Sequence, residues 1–270
     1  MAKLVTATAV LRLAQDGKLS LELSIADYLP DVPAAARRIT IRELLLHTAG
    51  LPPNFSSDLA ILDRAKATRK ILSLPLGPPG RSVYSNAGYV LLASVVQQVS
   101  GMPFQSYVHV HLLAPVHVSA IGWYGDKGLM RMPRASGFVA GTNRGSAGSS
   151  PLSWSIIGAG GLLATARDLY RFCSALQRGL ILDKEHLSEL DRGYLRLPTP
   201  GPPARVSFRG IRASTRKGNR VAAVGGGTDF GFTADARRYL TTSLITVVLS
   251  NSDRTPAGPA GFTVEHALGV

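Results

Sequence analysis

The chain has 270 residues, 45% hydrophobic and 17% charged, which is ample for a large core and too apolar for a disordered segment. Lysine and arginine total 30 against 17 acidic residues, a formal charge of +13 that favours anionic partners without naming one. The single cysteine, Cys173, excludes an internal disulfide and a cysteine-rich metal site, and its spacing within Leu169–Leu176 marks it as a small buried hydrophobe. No apolar run reaches the roughly 18 residues of a membrane-spanning helix.

In chain order, Met1–Leu11 has the lysine and apolar stretch of a leader peptide, but Arg12 interrupts it and no cleavage site follows before Lys18. Residues 4–15 instead predict a helix enclosed on most sides and stopped at Gly17. Thr40–His47 predicts a short helix with Thr40 as N-cap and Glu43 three residues on, a capping box, ended by Gly50, Pro52 and Pro53. A charged helix is predicted over 58–73, followed by the turn-rich Pro75–Gly80 and an apolar helix over 86–99 closed by Gly101 and Pro103. Gly141–Ser150 reads as a Gly/Ser-rich loop, and 162–176 as a helix ending before Gly179.

Beyond Pro203 the pattern turns to strands over 205–213, 220–223 and 242–249, the last apolar enough for a central place in a sheet. Helices preceding strands predict an α+β fold. The first helix is expected to pack on the late sheet. The expected organisation is one domain over 1–270, with an α/β lobe from 1–30 and 166–270 and a mostly helical lobe over 31–165.

For chemistry, no serine has the flanking glycines of a nucleophile elbow; Ser146 comes nearest, with Arg144 in the first position. His109, His111 and His117 crowd one segment without a zinc spacing or a companion carboxylate, so no metal and no cofactor are expected. Tyr84-Ser-Asn86 is more informative, because it follows the Gly/Pro-rich turn and opens an apolar helix. A phenol and an amide held there suit proton transfer and the grip of a substrate carbonyl, although tyrosine and asparagine are also ordinary turn residues. His47 invites a catalytic reading, but within His47–Leu51 it reads rather as a residue that fixes the helix-to-loop turn through hydrogen bonds. Trp154 suits a cleft wall or the core equally.

Read together with Lys3 at the head of the buried helix and Val224-Gly-Gly-Gly-Thr228 beside the late strands, the chain resembles the serine β-lactamase and penicillin-binding protein superfamily. The likeness is to its class C-like branch of β-lactamases, D-alanyl-D-alanine peptidases and esterases. Lys3–Leu13, Asp16–Leu21, Ile39–Leu51, Tyr84–Tyr89 and Ala159–Leu169 are all similar to family segments, so it covers nearly the whole chain. It implies a β-lactamase/transpeptidase-like fold, an antiparallel sheet flanked by helices, with one or more N-terminal strands lying outside this sequence.

The resemblance also implies a Ser-x-x-Lys motif whose lysine is Lys3 and whose serine position falls one residue before Met1, so the sequence is expected to be partial and the chain as given inactive. The implied chemistry is acyl transfer on an ester, amide or β-lactam. Lys3 and Tyr84 manage the serine proton and Asn86 donates to the substrate amide. The Gly227 N–H helps form an oxyanion hole, and Gly225, Gly226 and Gly227 let the strand approach the substrate. Family members carry lysine or histidine where this chain has Val224. An aliphatic residue cannot pair with a carboxylate, which predicts a preference for neutral acyl substrates unless Arg237 or Arg238 compensates.

The expected partner is a small acyl substrate, and family habit implies a periplasmic or extracellular location. One alternative is a non-catalytic, penicillin-binding-like homologue that binds ligands or regulates. Another is a nucleic-acid binder, suggested by the charge and by the basic stretch Arg212–Arg220, but no nucleic-acid motif accompanies it.

Overall fold

The structure is a computed structural model that describes residues 1–58, 60–146, 151–191, 195–196, 205–207, 211–216, 219–227 and 229–269. Helix α1 (Ala2–Gln15) is buried on nearly every side, with Val10, Leu11 and Leu13 fully enclosed. Its threonines turn inward because each hydroxyl finds a carbonyl: Thr8 Oγ1 donates to that of Leu4, and Thr6 Oγ1, with one proton, lies 3.1 Å from the Ala2 carbonyl and 2.8 Å from that of Gly158. Gly17, at φ 68°, turns the chain away in a conformation that glycine adopts freely.

The capping box of α2 (Ile41–Leu46) is present as predicted. The Glu43 amide donates to Thr40 Oγ1 at 3.1 Å and the Thr40 amide donates to Glu43 Oε2 at 2.9 Å. Helix α3 (Arg64–Leu72) begins six residues later than the predicted 58, because the Asp63 carboxylate accepts from the Lys66 amide and caps it there. Helix α4 (Asn86–Ser100) is buried along most of its length and closes at Gly101, and α5 (Phe104–Val108) continues through further helical turns to Val116.

Two small antiparallel pairs follow. β1 (Ile121–Trp123) pairs with β4 (Leu162–Ala164), and β2 (Ser136–Val139) with β3 (Thr142–Ser146). Both correct the sequence reading. Residues 142–146 form a hairpin arm, residues 147–150 of the expected loop lie outside the described residues, and the helix expected from 162 starts only at Ala166. There Thr165 caps α6 (Ala166–Gln177) by accepting from the Asp168 amide. Helix α7 (Lys184–Asp191) comes next.

The main sheet is antiparallel throughout, in the order β10-β9-β8-β7-β6-β5. Its strands are β5 (Leu195–Arg196), β6 (Arg205–Ser207), β7 (Ile211–Arg216), β8 (Asn219–Gly227), β9 (Thr233–Tyr239) and β10 (Ile245–Ser250). The last helix is α8 (Ala257–Ala267). Helices α6 and α8 both pack on β9 and β10. On β9, Arg238 points to the side of α7, while Arg237 and Tyr239 point to α8, as strand alternation requires.

Strand β10 closes the described sheet at its edge, where the sequence suggested a central place. Its apolar character reflects the helices over its faces. Strand β9 escaped prediction because Thr233-Ala-Asp-Ala-Arg-Arg-Tyr239 buries charge: Arg237 pairs with Asp235 at 2.6 Å and Glu265 at 2.5 Å, and Arg238 pairs with Asp191. Helix α8 escaped it because Gly258, Pro259 and Gly261 read as breakers. Helix α1 packs mainly on α4 and α7, and its start meets the sheet at Gly226.

Candidate active site

Lys3 stands on the first turn of α1, and only 6% of it is exposed. Its Nζ donates to Asn86 Oδ1 at 2.7 Å and to the Ala159 carbonyl at 2.8 Å. It also lies 4.7 Å from the centre of the Tyr84 ring and 5.6 Å from that of Tyr89. Burial lowers the Lys3 ammonium to about 7, with the field of Asp58 pulling partly the other way. An amine so placed is available near neutral pH as a proton acceptor, which an exposed lysine is not.

Asn86 is the first residue of α4, and the preceding segment is laced to the loop after α2. The Val83 amide donates to the His47 carbonyl at 2.9 Å, Ser85 Oγ donates to the Pro52 carbonyl at 2.7 Å, and the Asn86 amide donates to the Pro53 carbonyl at 2.8 Å. Ser85 Oγ also accepts from the Gly88 amide and caps α4. The Asn86 side-chain amide donates to Asn54 Oδ1 at 2.8 Å. One of its two N–H groups is so engaged, and its oxygen is held by the lysine. Tyr84, on the same segment, is 40% exposed and so borders both the buried amine and solvent.

The Ala159 carbonyl is fixed by a strap across α1 and α4. Thr6 Oγ1 donates to the Gly158 carbonyl at 2.8 Å. Gly158 has φ 83°, and a Cβ there would lie 2.5 Å from the Tyr89 carbonyl oxygen, so only glycine lets the strap lie this close.

Strand β8 completes the arrangement. A Cβ on Gly226 would come 3.2 Å from the Met1 backbone nitrogen, so the glycine stretch runs against the first turn of α1 beside Lys3. Gly225, Gly226 and Gly227 pair in register with Asp235, Ala234 and Thr233, so the run is strand rather than a simple turn. Val224 is 3% exposed and sits in the main apolar core.

The structure thus brings Lys3, Tyr84 and Asn86 to one point, with Gly226 alongside. It also adds four groups that the sequence did not single out: the Ala159 carbonyl, Asn54, Tyr89 and Asp58. The first acts through its backbone and the second from an irregular loop, so no residue pattern announces either. Arg237 and Arg238 do not face the glycine run as free cations. Both are buried and engaged by Asp235, Glu265 and Asp191. Trp154 is half-buried against the core, and Cys173 is buried with its thiol pushed up to about 11. The basic stretch Arg212–Arg220 lies, for the side chains of 212–219, outside the described residues.

A helix-flanked antiparallel sheet with a buried lysine meeting a Tyr-x-Asn segment is the architecture of the serine β-lactamase and penicillin-binding protein superfamily. The chain belongs to the Beta-lactamase family, whose model matches residues 1–268. PbpX of Bacillus subtilis (strain 168), named as a penicillin-binding protein, is 28% identical over 199 residues, which cover 74% of this chain and 49% of PbpX. The chain therefore spans about half the length of that relative. A penicillin-binding protein structure from Bacillus halodurans superposes with a TM-score of 0.80 at 26% identity, covering 99% of this chain and 84% of that one. A D-amino acid amidase from Ochrobactrum anthropi SV3 gives 0.76 at 26% identity, with 95% and 78% covered.

Proposed function

We propose that the site catalyses acyl transfer from neutral esters or amides, with a serine hydroxyl at the position preceding Met1 as nucleophile. The observation that carries this reading is the buried Lys3 amine, lowered to about 7 and held 2.7 Å from Asn86 Oδ1 beside the Tyr84 ring. In the first step the serine oxygen bonds to the acyl carbon while its proton passes to the Lys3–Tyr84 pair. The alcohol or amine leaves with that proton, and water then releases the acyl group by the same route. The second N–H of the Asn86 amide donates to the substrate amide, and the Gly227 N–H stabilises the oxyanion.

The preference for neutral substrates rests on Val224, a buried aliphatic side chain, and on the engagement of Arg237 and Arg238 by internal carboxylates. A substrate carboxylate finds no charge partner in either place. The likeness to a D-amino acid amidase supports amides among the candidate substrates.

The test is a chain extended by serine before Met1, assayed on a nitrophenyl ester and a chromogenic cephalosporin. Ester turnover is expected to exceed cephalosporin turnover, and Lys3→Met is expected to lower it by about 10³-fold or more. Faster cephalosporin turnover rejects the neutral-substrate preference. Val224 also favours a second reading, a non-catalytic ligand-binding homologue. It predicts saturable ligand binding by the extended chain with no turnover of any ester or amide.

A further inference from the structure

We propose that His47 is a positioning residue of this site: its Nδ1 lone pair sets the Tyr84–Asn86 segment against the lysine amine. The inference rests on the acyl-transfer reading above and concerns how its two tripeptide groups are held. His47 ends α2 in the left-handed region, at φ 59°, and is 3% exposed. The Ser85 amide donates to its Nδ1 at 3.0 Å. An N–H can only donate, so Nδ1 is the unprotonated nitrogen and the ring proton of the neutral imidazole sits on Nε2.

The ring is also shared with the site. Its centre lies 5.0 Å from that of Tyr84 and 5.0 Å from that of Tyr89, tilted 34° to each. Those are the two rings that border Lys3 Nζ. Ser85, the residue whose amide His47 holds, lies between Tyr84 and Asn86, so a shift there moves both flanking side chains relative to the amine. Displacement by about 1 Å is enough to cost about 10²-fold in rate.

Two substitutions separate this role from plain packing. Asn at 47 keeps an acceptor and tolerates a left-handed backbone, whereas Gly tolerates the backbone and keeps no acceptor. In the serine-extended chain, His47→Gly is expected to lower kcat on the nitrophenyl ester by about 10²-fold with KM within about threefold, and His47→Asn to recover most of it. His47→Asn as slow as His47→Gly, or His47→Gly as fast as the parent, overturns the proposal. Independently of activity, ¹⁵N NMR of the parent chain is expected to show His47 Nδ1 unprotonated and Nε2 protonated; a proton on Nδ1 overturns it. If the extended parent turns over nothing, the acyl-transfer reading fails. The Asn86 amide resonances then judge His47, which they support by moving in His47→Gly and staying in His47→Asn, and refute by staying in both.

Discussion

Among the described residues, Lys3 is an amine without a directly paired carboxylate, on a helix that leaves it almost no water. An ammonium in such a place is costly, and its proton leaves at about 7 rather than near its ordinary 10.5. Two consequences have opposite molecular origins and the same sign. As a base, Lys3 works only when neutral, so kcat/KM of the serine-extended chain is expected to rise as pH climbs through about 7 and then level. As a buried group, it makes the unfolded chain hold a proton that the folded chain has lost between about 7 and 10.5, so folding stability rises with pH across that window. Below it both states are protonated and the contribution is absent. Urea titrations from about pH 6 to about pH 10 are expected to show wild type gaining on Lys3→Met by a few kcal/mol, at most about 5. Parallel curves for the two proteins would mean that the amine is not buried as described.

At the level of elements, the site depends on segments that are ordered by contact rather than by propensity. The Gly158–Ala159 strap is neither helix nor strand. Its own turn bonds, from the Ala159 and Gly160 amides to the Ile156 carbonyl, are backed by Thr6 on α1 and by close approach to Tyr89 and Ala93 on α4. Gly158→Ala places a methyl group 2.5 Å from a backbone oxygen at φ 83°, and both faults act together. The expected loss is about 2 kcal/mol or more in urea. A loss under about 0.5 kcal/mol would show that the strap has room to spare. By contrast the α2 capping box was readable in four letters, Thr40 to Glu43, since both partners lie within one turn.

At the scale of the molecule, the sheet is tied to its helices by charges in the interior. Arg238 on β9 is 2% exposed and meets Asp191 at the end of α7, while Arg237 meets Asp235 and, on α8, Glu265, which also accepts from the Tyr239 hydroxyl at 2.5 Å. Burial pushes the Asp191 carboxyl up and the guanidinium of Arg238 opposes it, so the pair is not a large net gain over an apolar one. Breaking it is another matter. Asp191→Ala leaves a buried guanidinium without its carboxylate and is expected to cost about 3–5 kcal/mol, while Asp191→Leu with Arg238→Met recovers much of that. Additive single and double losses would show that the two groups do not couple.

Local pattern was enough for α1, α2 and α4 and for the late strands in outline, because apolar periodicity and caps act over a few residues, while Lys3 drew notice only through the family resemblance. It failed where neighbours distant in sequence set the outcome. Polar β9 is a strand because Asp191, Glu265 and its own Asp235 neutralise its arginines; α8 is a helix in spite of its glycines, one of which lets it lie on that ion pair. Whether Arg237 and Arg238 were free to meet a substrate was likewise undecidable from their letters, since a cation's availability depends on which carboxylates folding brings to it. The lowering of the Lys3 ammonium has the same character: it comes from exclusion of water by separate stretches of chain, and desolvation exists only once they have packed.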